Sequence, residues 1–236
     1  MTERKVVWVT GAGSGMGRAA AVSAARAGWR IALTGRREQA LIETAGSAGG
    51  GLVLPGDVTD AAFVASAAGS VVAEFGRLDA LVLAAGSNTK RRFWPDLDLE
   101  AFDAIVDTNL TAVAHAVHAA LPALRETHGT VVVISSYSGW SFSPGAGVAY
   151  SASKTALGAL CRTLNAQEAG SGVRATHLCP GDVATDFLEQ RPVVPDADAR
   201  SRMLTPEDIG RAVQFVLDSP RHVRVDELVI SPVSQA

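Results

Sequence analysis

Lys5-Val6-Val7-Trp8-Val9-Thr10 runs directly into Gly11-Ala12-Gly13-Ser14-Gly15-Met16-Gly17 and then into an Ala-rich segment ending near Ala27. A short, continuously apolar, β-branched run is what a strand buried on both faces requires. The glycines after it bring the backbone into the open, and the Ala-rich segment suits a helix. Missing side chains let a backbone approach a pyrophosphate, and the helix N-terminus offers unpaired N–H groups and a partial positive charge. The spacing is Gly-x-x-x-Gly-x-Gly with one extra glycine, not the commoner Gly-x-Gly-x-x-Gly, and tight turns also use glycine. Its place between a strand and a helix favours nucleotide binding.

The same alternation continues outward from this unit. Strands are predicted at 30–34, 52–54, 80–84, 130–135, 174–178 and 225–230, with helices at 15–27, 38–48, 60–75, 99–125, 148–169 and 206–217. Gly28, Gly49 and Gly76 punctuate the first three helices as stop signals do. Parallel strands need crossover connections, so seven strands alternating with helices predict a three-layer, doubly wound Rossmann fold around a seven-stranded parallel sheet. The 236 residues fit one such α/β domain, 1–236. Ligands of these sheets bind beyond the carboxyl ends of the strands.

Composition narrows the partners. Apolar residues make up 47% of the chain, charged residues 19%, and the net charge is −3, so neither nucleic acid nor a membrane is expected. No apolar stretch reaches membrane-spanning length and no cleavage-site pattern follows the first residues, which predicts a cytoplasmic protein. Cys161 and Cys179 fall in a helix and a strand without paired or ligand-like spacing. His115 and His118 could share a helix face, but no third ligand stands near them, and no metal site is expected.

Tyr150-Ser151-Ala152-Ser153-Lys154 opens the helix at 148–169. Residues four apart lie on one helix face, so an ammonium and a phenol can interact here. A phenol titrates near 10, and a neighbouring positive charge would lower that value and suit the tyrosine to acid/base work. An exposed helix pair of small energetic value is the alternative. At the end of the second strand, where NAD sites usually carry an acid, the stretch Thr34-Gly35-Arg36-Arg37 has two guanidiniums suited to a phosphate. NADP(H) is therefore favoured over NAD(H).

Together these residues resemble the short-chain dehydrogenase/reductase family over essentially the whole chain. The resemblance rests on the Thr10–Gly17 turn, Asp57-Val58, Ala85-Gly86, Asn109, Ser136, Tyr150 with Lys154, and Pro180-Gly181 with Thr185. It implies that Tyr150 exchanges a proton with the substrate oxygen and that Ser136 hydrogen-bonds that oxygen. Lys154 would hold the nicotinamide ribose and lower the Tyr150 pKa, and Asn109 would anchor a water linking Lys154 to solvent. Gly11, Ser14, Gly15, Met16 and Gly17 would cradle the cofactor, with Asp57 and Val58 at the adenine. Ala85 and Gly86, then Pro180, Gly181, Val183 and Thr185, would follow it toward the nicotinamide.

Each role has a plainer alternative: a turn for Asp57, a helix-surface amide for Asn109, an N-cap for Thr185. Ser136 is preferred over Ser138 because the family serine precedes a glycine, here Gly139, by three residues. Asn109 is poorly suited to a helix interior, which suggests a local irregularity. Two departures stand out: Leu83-Ala84-Ala85-Gly86 lacks the usual asparagine, and the last strand is followed by Ser231-Pro232-Val233 without a glycine-rich end.

The loops after the fourth, fifth and sixth strands should line the substrate site. They contain Phe93, Trp94, Trp140, Phe142, Phe187 and Leu188 as candidate lining, and Lys90-Arg91-Arg92, read here as a solvated loop and alternatively as an anion site. A carbonyl/alcohol oxidoreductase is the favoured reading. The alternatives are a 3-oxoacyl thioester reductase and a non-catalytic NADP(H)-sensing regulatory module. The family resemblance further implies a homodimer or homotetramer built through the helices at 99–125 and 148–169.

Overall fold

The computed structural model describes residues 4–235. In chain order the elements are β1 (Val6–Thr10), α1 (Gly15–Arg26), β2 (Arg30–Gly35), α2 (Glu38–Ser47), β3 (Leu52–Pro55), α3 (Ala61–Phe75) and β4 (Ala80–Leu83). They continue with α4 (Leu99–Val106), α5 (Ala112–Thr127), β5 (Thr130–Ile134), α6 (Tyr137–Trp140), α7 (Val148–Gln167) and β6 (Arg174–Pro180). α8 (Ala197–Ser201), α9 (Pro206–Asp218) and β7 (Glu227–Ile230) complete them.

All seven strands are parallel, in the order β3-β2-β1-β4-β5-β6-β7. The order reverses between β1 and β4, which opens a crevice at their carboxyl ends. The β1 run is apolar throughout because alternate side chains enter different cores. Val6 and Trp8 pack with Val64 and Val71 of α3, Ala116 and Leu124 of α5, and Leu157 of α7. Val7 and Val9 pack on the other face with Ala20 and Ala24 of α1, Leu41 of α2, and Ile209 and Val213 of α9. A strand covered on both sides has no solvent face to keep polar. The buried Trp8 indole is satisfied by Thr34 Oγ1 at 2.8 Å.

Helix ends follow the local chemistry. Asp60 caps α3 by accepting from the amides of Ala62 and Phe63, and Gly76 closes it in the left-handed region at φ 75°. Thr205 and Asp208 form a reciprocal capping box at α9, ahead of Pro206 in the first turn.

One expectation is corrected: residues 99–125 are not a single helix. A π-helical turn, Asp107–Thr111, separates α4 from α5 and holds Asn109. The wider turn answers the irregularity that an asparagine at this place suggested, since π turns interrupt helices to re-aim side chains. The short elements α6 and α8 lie in segments read as loops, four and five residues being too few to show helical periodicity. Both cysteines are buried, and burial pushes each thiol up to about 12. No described helix is long and apolar enough to cross a membrane.

Candidate active site

The glycine turn is shaped by close approach more than by flexibility. Gly11 has φ +64°, and a Cβ there would lie 2.6 Å from Ala85 N and 2.7 Å from the Ala84 carbonyl carbon. A Cβ on Gly17 would lie 2.3 Å from Gly11 O. The turn is pinned from behind: Thr44 Oγ1 donates to Ala12 O at 3.0 Å, and Arg18 Nη2 donates to Gly13 O at 2.9 Å. Its front forms one wall of a cleft of about 690 Å³ at the β1/β4 crevice.

Gly11, Ser14, Gly15, Met16 and Gly17 line that cleft, as do Arg36, Arg37, Asp57 and Val58. Ala85, Gly86 and Thr185 lie further along it. Arg37 Nη2 donates to Ser14 Oγ at 3.1 Å, which ties the basic pair to the glycine turn. Asp57 folds into a local turn, its Oδ1 accepting from the backbone and hydroxyl of Thr59 at 3.0 and 2.9 Å. Those bonds, the backbone one first, hold its carboxyl below the usual range, with the nearby Arg36 guanidinium adding to them. Thr185 occupies the N-cap position of a 3₁₀ segment, Asp186–Gln190, yet its hydroxyl makes no capping bond.

A second cavity, about 150 Å³, continues from the cleft and shares Met16, Ala84, Gly86, Asn88, Thr185 and Phe187 with it. Ser136, Tyr150, Lys154, Pro180, Gly181 and Val183 line it. Each arrives from a carboxyl-end position: Ser136 just after β5, Pro180 to Val183 at and after β6, and the α7 pair beside them. Ser136 is the N-cap of α6, its hydroxyl accepting from Ser138 N at 3.2 Å and paired with Ser138 Oγ at 3.0 Å. The Tyr150 phenol lines the same cavity near it. Ser138 is buried behind Ser136, and Ser135 Oγ donates to Lys154 O at 3.1 Å, so the three neighbouring serines have separate tasks.

The Tyr150 phenol is not lowered as its neighbour Lys154 led us to expect. Burial pushes its pKa up, and the nearby Ser136 hydroxyl and the Arg191 and Arg92 guanidiniums only partly counter that. Lys154 is turned toward the strand end: its Nζ donates to Ile134 O at 3.1 Å and lies 5.7 Å from the centre of the Tyr150 ring. Burial lowers the ammonium to about 8.

Asn109 lies behind this wall, fully buried, and lines neither cavity. Its Oδ1 accepts from Ser87 N at 2.8 Å, and its Nδ2 donates to Ser87 O at 3.0 Å and Ser153 Oγ at 3.2 Å. The amide thus joins the β4 loop to α7, and a Cβ on Gly86 would sit 3.4 Å from Asn109 Oδ1 and 3.6 Å from Lys154 Nζ.

The loop reading needs two corrections. Trp94, Trp140 and Phe142 are exposed, Phe93 is largely so, and none lines the cavity, whereas Phe187 and Leu188 do. The Phe187 ring stands 5.9 Å from that of Tyr150. Of the basic triplet, Lys90 and Arg91 are exposed as a solvated loop should be, but Arg92 is 5% exposed and lines the cavity. Sequence reading also missed Arg191, Asn88 and Gln235 in the lining, and Ser153 behind it. Gln235 arrives from the tail after β7, its Oε1 accepting from Asp182 N at 2.8 Å, a closure that no local pattern signals.

Residues 5–193 match the family model for short chain dehydrogenases. A sulfoacetaldehyde reductase of Chromohalobacter salexigens is 36% identical over 98% of this chain and 95% of its own length. An uncharacterized oxidoreductase of Staphylococcus epidermidis is 33% identical over 98% of each chain. Among solved structures, an alcohol dehydrogenase from Thermococcus sibiricus, complexed with 5-hydroxy-NADP, superposes with a TM-score of 0.89 at 32% identity over 99% of each chain. A serine dehydrogenase complexed with NADP+ gives 0.90 at 29% identity, covering 98% of this chain and 96% of that one.

Proposed function

The chain belongs to the short-chain dehydrogenase/reductase family, and from that premise we propose that it interconverts a small or medium carbonyl compound and its alcohol, using NADP(H), with Tyr150 as acid/base. Membership makes it an oxidoreductase and sets aside the sensing-module alternative. The observation that carries the proposal is the Tyr150 phenol, which shares with Ser136 and Lys154 a small cavity that opens into the glycine-turn cleft. A nicotinamide bound along the cleft supplies the hydride. The chain's own part is to hold the reacting oxygen and move its proton.

Gly11 and Gly17, where a side chain would collide with backbone, fit the close approach of a dinucleotide phosphate. In this reading Arg36 and Arg37 face the adenosine phosphate, and Asp57 and Val58 the base. Thr185 lines both the cleft and the cavity, and Lys154 lines the cavity. Asn109 acts as a positioning residue, locking the β4 loop to α7. A cavity of about 150 Å³ supports a small substrate over the 3-oxoacyl thioester alternative. The test is a panel of ketones, aldehydes, alcohols and diols assayed with each cofactor; absence of turnover across such a panel would count against the reading.

Two expectations follow directly. The wild type should use NADPH at least tenfold better than NADH in kcat/KM, and Arg36→Ala should remove most of that margin, because a guanidinium–phosphate pair is a strong charge-assisted contact. A preference for NADH unaffected by Arg36→Ala would sink the cofactor assignment. The second expectation concerns pH. A phenol raised above its ordinary 10 stays protonated through neutrality, so it is ready as an acid for carbonyl reduction. The Lys154 ammonium is lost as pH rises through about 8. Reduction should therefore hold steady below about pH 8 and fall above it, while alcohol oxidation, which needs the phenolate, should climb into the alkaline range. Initial rates in both directions across pH check this, and a reduction rate that climbs through pH 8 contradicts it.

A further inference from the structure

The charged side chains lining the smaller cavity are Arg92, Lys154 and Arg191 against one carboxylate, Asp182. This excess sits next to the phenol rather than on an open surface. Arg92 is the unusual member. It is 5% exposed, and its guanidinium has no carboxylate partner among the described residues. Instead it donates to three neutral carbonyls: Thr89 O at 2.6 Å, Gln190 O, and Gly145 O at a long 3.5 Å. A buried cation without a counter-charge is costly.

Burial, and after it repulsion from the nearby Arg191, depresses the Arg92 pKa. Arg191 itself is held by both carboxylate oxygens of Asp182. That pairing satisfies one face of its fork and fixes the rest of the guanidinium at the cavity wall. Two guanidiniums of like charge, one unpaired and one half-used, face a common space that also holds the proposed acid/base.

We infer that this cavity takes a substrate carrying a singly charged oxyanion, a carboxylate being the simplest, seated between Arg92 and Arg191 with its carbonyl or alcohol oxygen at Tyr150. The inference rests on the reading of the cavity as the substrate site. The anion offsets part of the local excess and fixes the far end of the substrate, so that the reacting carbon has one orientation. Asp182 acts as a positioning residue, holding Arg191 while leaving the buried Arg92 as the unpaired cation.

The experiment has a binding arm and a turnover arm, both on the full chain loaded with NADP+ or NADPH. In the first, calorimetry compares butanoate with butanamide, neither of which can be reduced by hydride here. We expect butanoate to bind at least tenfold more tightly, and Arg191→Gln to reduce that ratio to near unity. Arg191→Lys should keep part of it, since charge remains but the fork is lost. In the second arm, succinate semialdehyde should exceed its primary amide at least tenfold in kcat/KM, mainly through KM.

Equal binding of acid and amide by the wild type overturns the inference without needing any variant, even if neutral carbonyls are turned over well. An acid preference that survives Arg191→Gln intact overturns it also. Tight butanoate binding, lost in Arg191→Gln, upholds the anion site even where the panel of carbonyls finds no turnover, a result that counts against the oxidoreductase chemistry of Tyr150 alone.

Discussion

Replacing Tyr150 by phenylalanine is expected to lower kcat by about 10²–10⁴-fold, the usual worth of a positioned acid or base, while cofactor affinity stays near its wild-type value. The substitution removes one oxygen and keeps the ring, which stands against Phe187. Ser136 keeps its bonds to Ser138, so α6 stays capped. The loss should therefore fall on kcat and not on folding. Single-turnover reduction with NADPH, paired with fluorescence titration of the cofactor, separates the two. Retained turnover would mean that the proton comes from another group, and the small cavity offers Ser136 and Lys154 as the places to look.

Gly17→Ala should be a severely damaging change in the cofactor cleft. Its Cβ would lie 2.3 Å from Gly11 O, 2.8 Å from the Gly11 carbonyl carbon and 3.2 Å from Ala84 Cβ. None of these atoms is the tip of a flexible side chain, so the strand-to-helix turn itself must shift. Forcing extra atoms into a packed site costs about 1–3 kcal/mol, and in a protein of this size each kcal/mol lowers Tm by about 2–4 °C. The displaced turn can no longer offer its amides in one concave array, so NADP+ affinity should drop at least tenfold beyond the stability loss. Gly69→Ala is the matched control: it lies in α3 with nothing within 4 Å of a new Cβ, and it should stabilise by up to about 1 kcal/mol. Thermal melts with and without NADP+ check both, and an unchanged cofactor-induced shift in Gly17→Ala would contradict the close-approach account.

Much of the fold was legible because its signals are local. The continuous apolar runs of β1 and β5 mark strands with no wet face, and both are fully buried. Gly76 ends a helix by backbone chemistry within a few residues. The helix at 99–125 was misjudged for the same reason in reverse. A π turn preserves helical periodicity on both sides and differs only in which carbonyl each amide meets. Only the odd placement of Asn109 pointed to it.

The division at the site is the same. Local chemistry in the chain determined by itself the alternating strands and helices, the glycine turn, and the four-residue spacing of Tyr150 and Lys154. Only the tertiary structure decided which way those groups act. Burial raises the phenol that a nearby ammonium alone would lower, and Lys154 turns to the Ile134 carbonyl at the end of the neighbouring strand. It also decided that Arg92 is a buried wall of the cavity while Lys90 and Arg91 stay in water. The physical reason is range. Hydrogen bonds and helix caps form between near neighbours in sequence, whereas desolvation and cavity electrostatics depend on residues such as Arg92, Tyr150 and Arg191, which are brought together only when the loops close over the sheet.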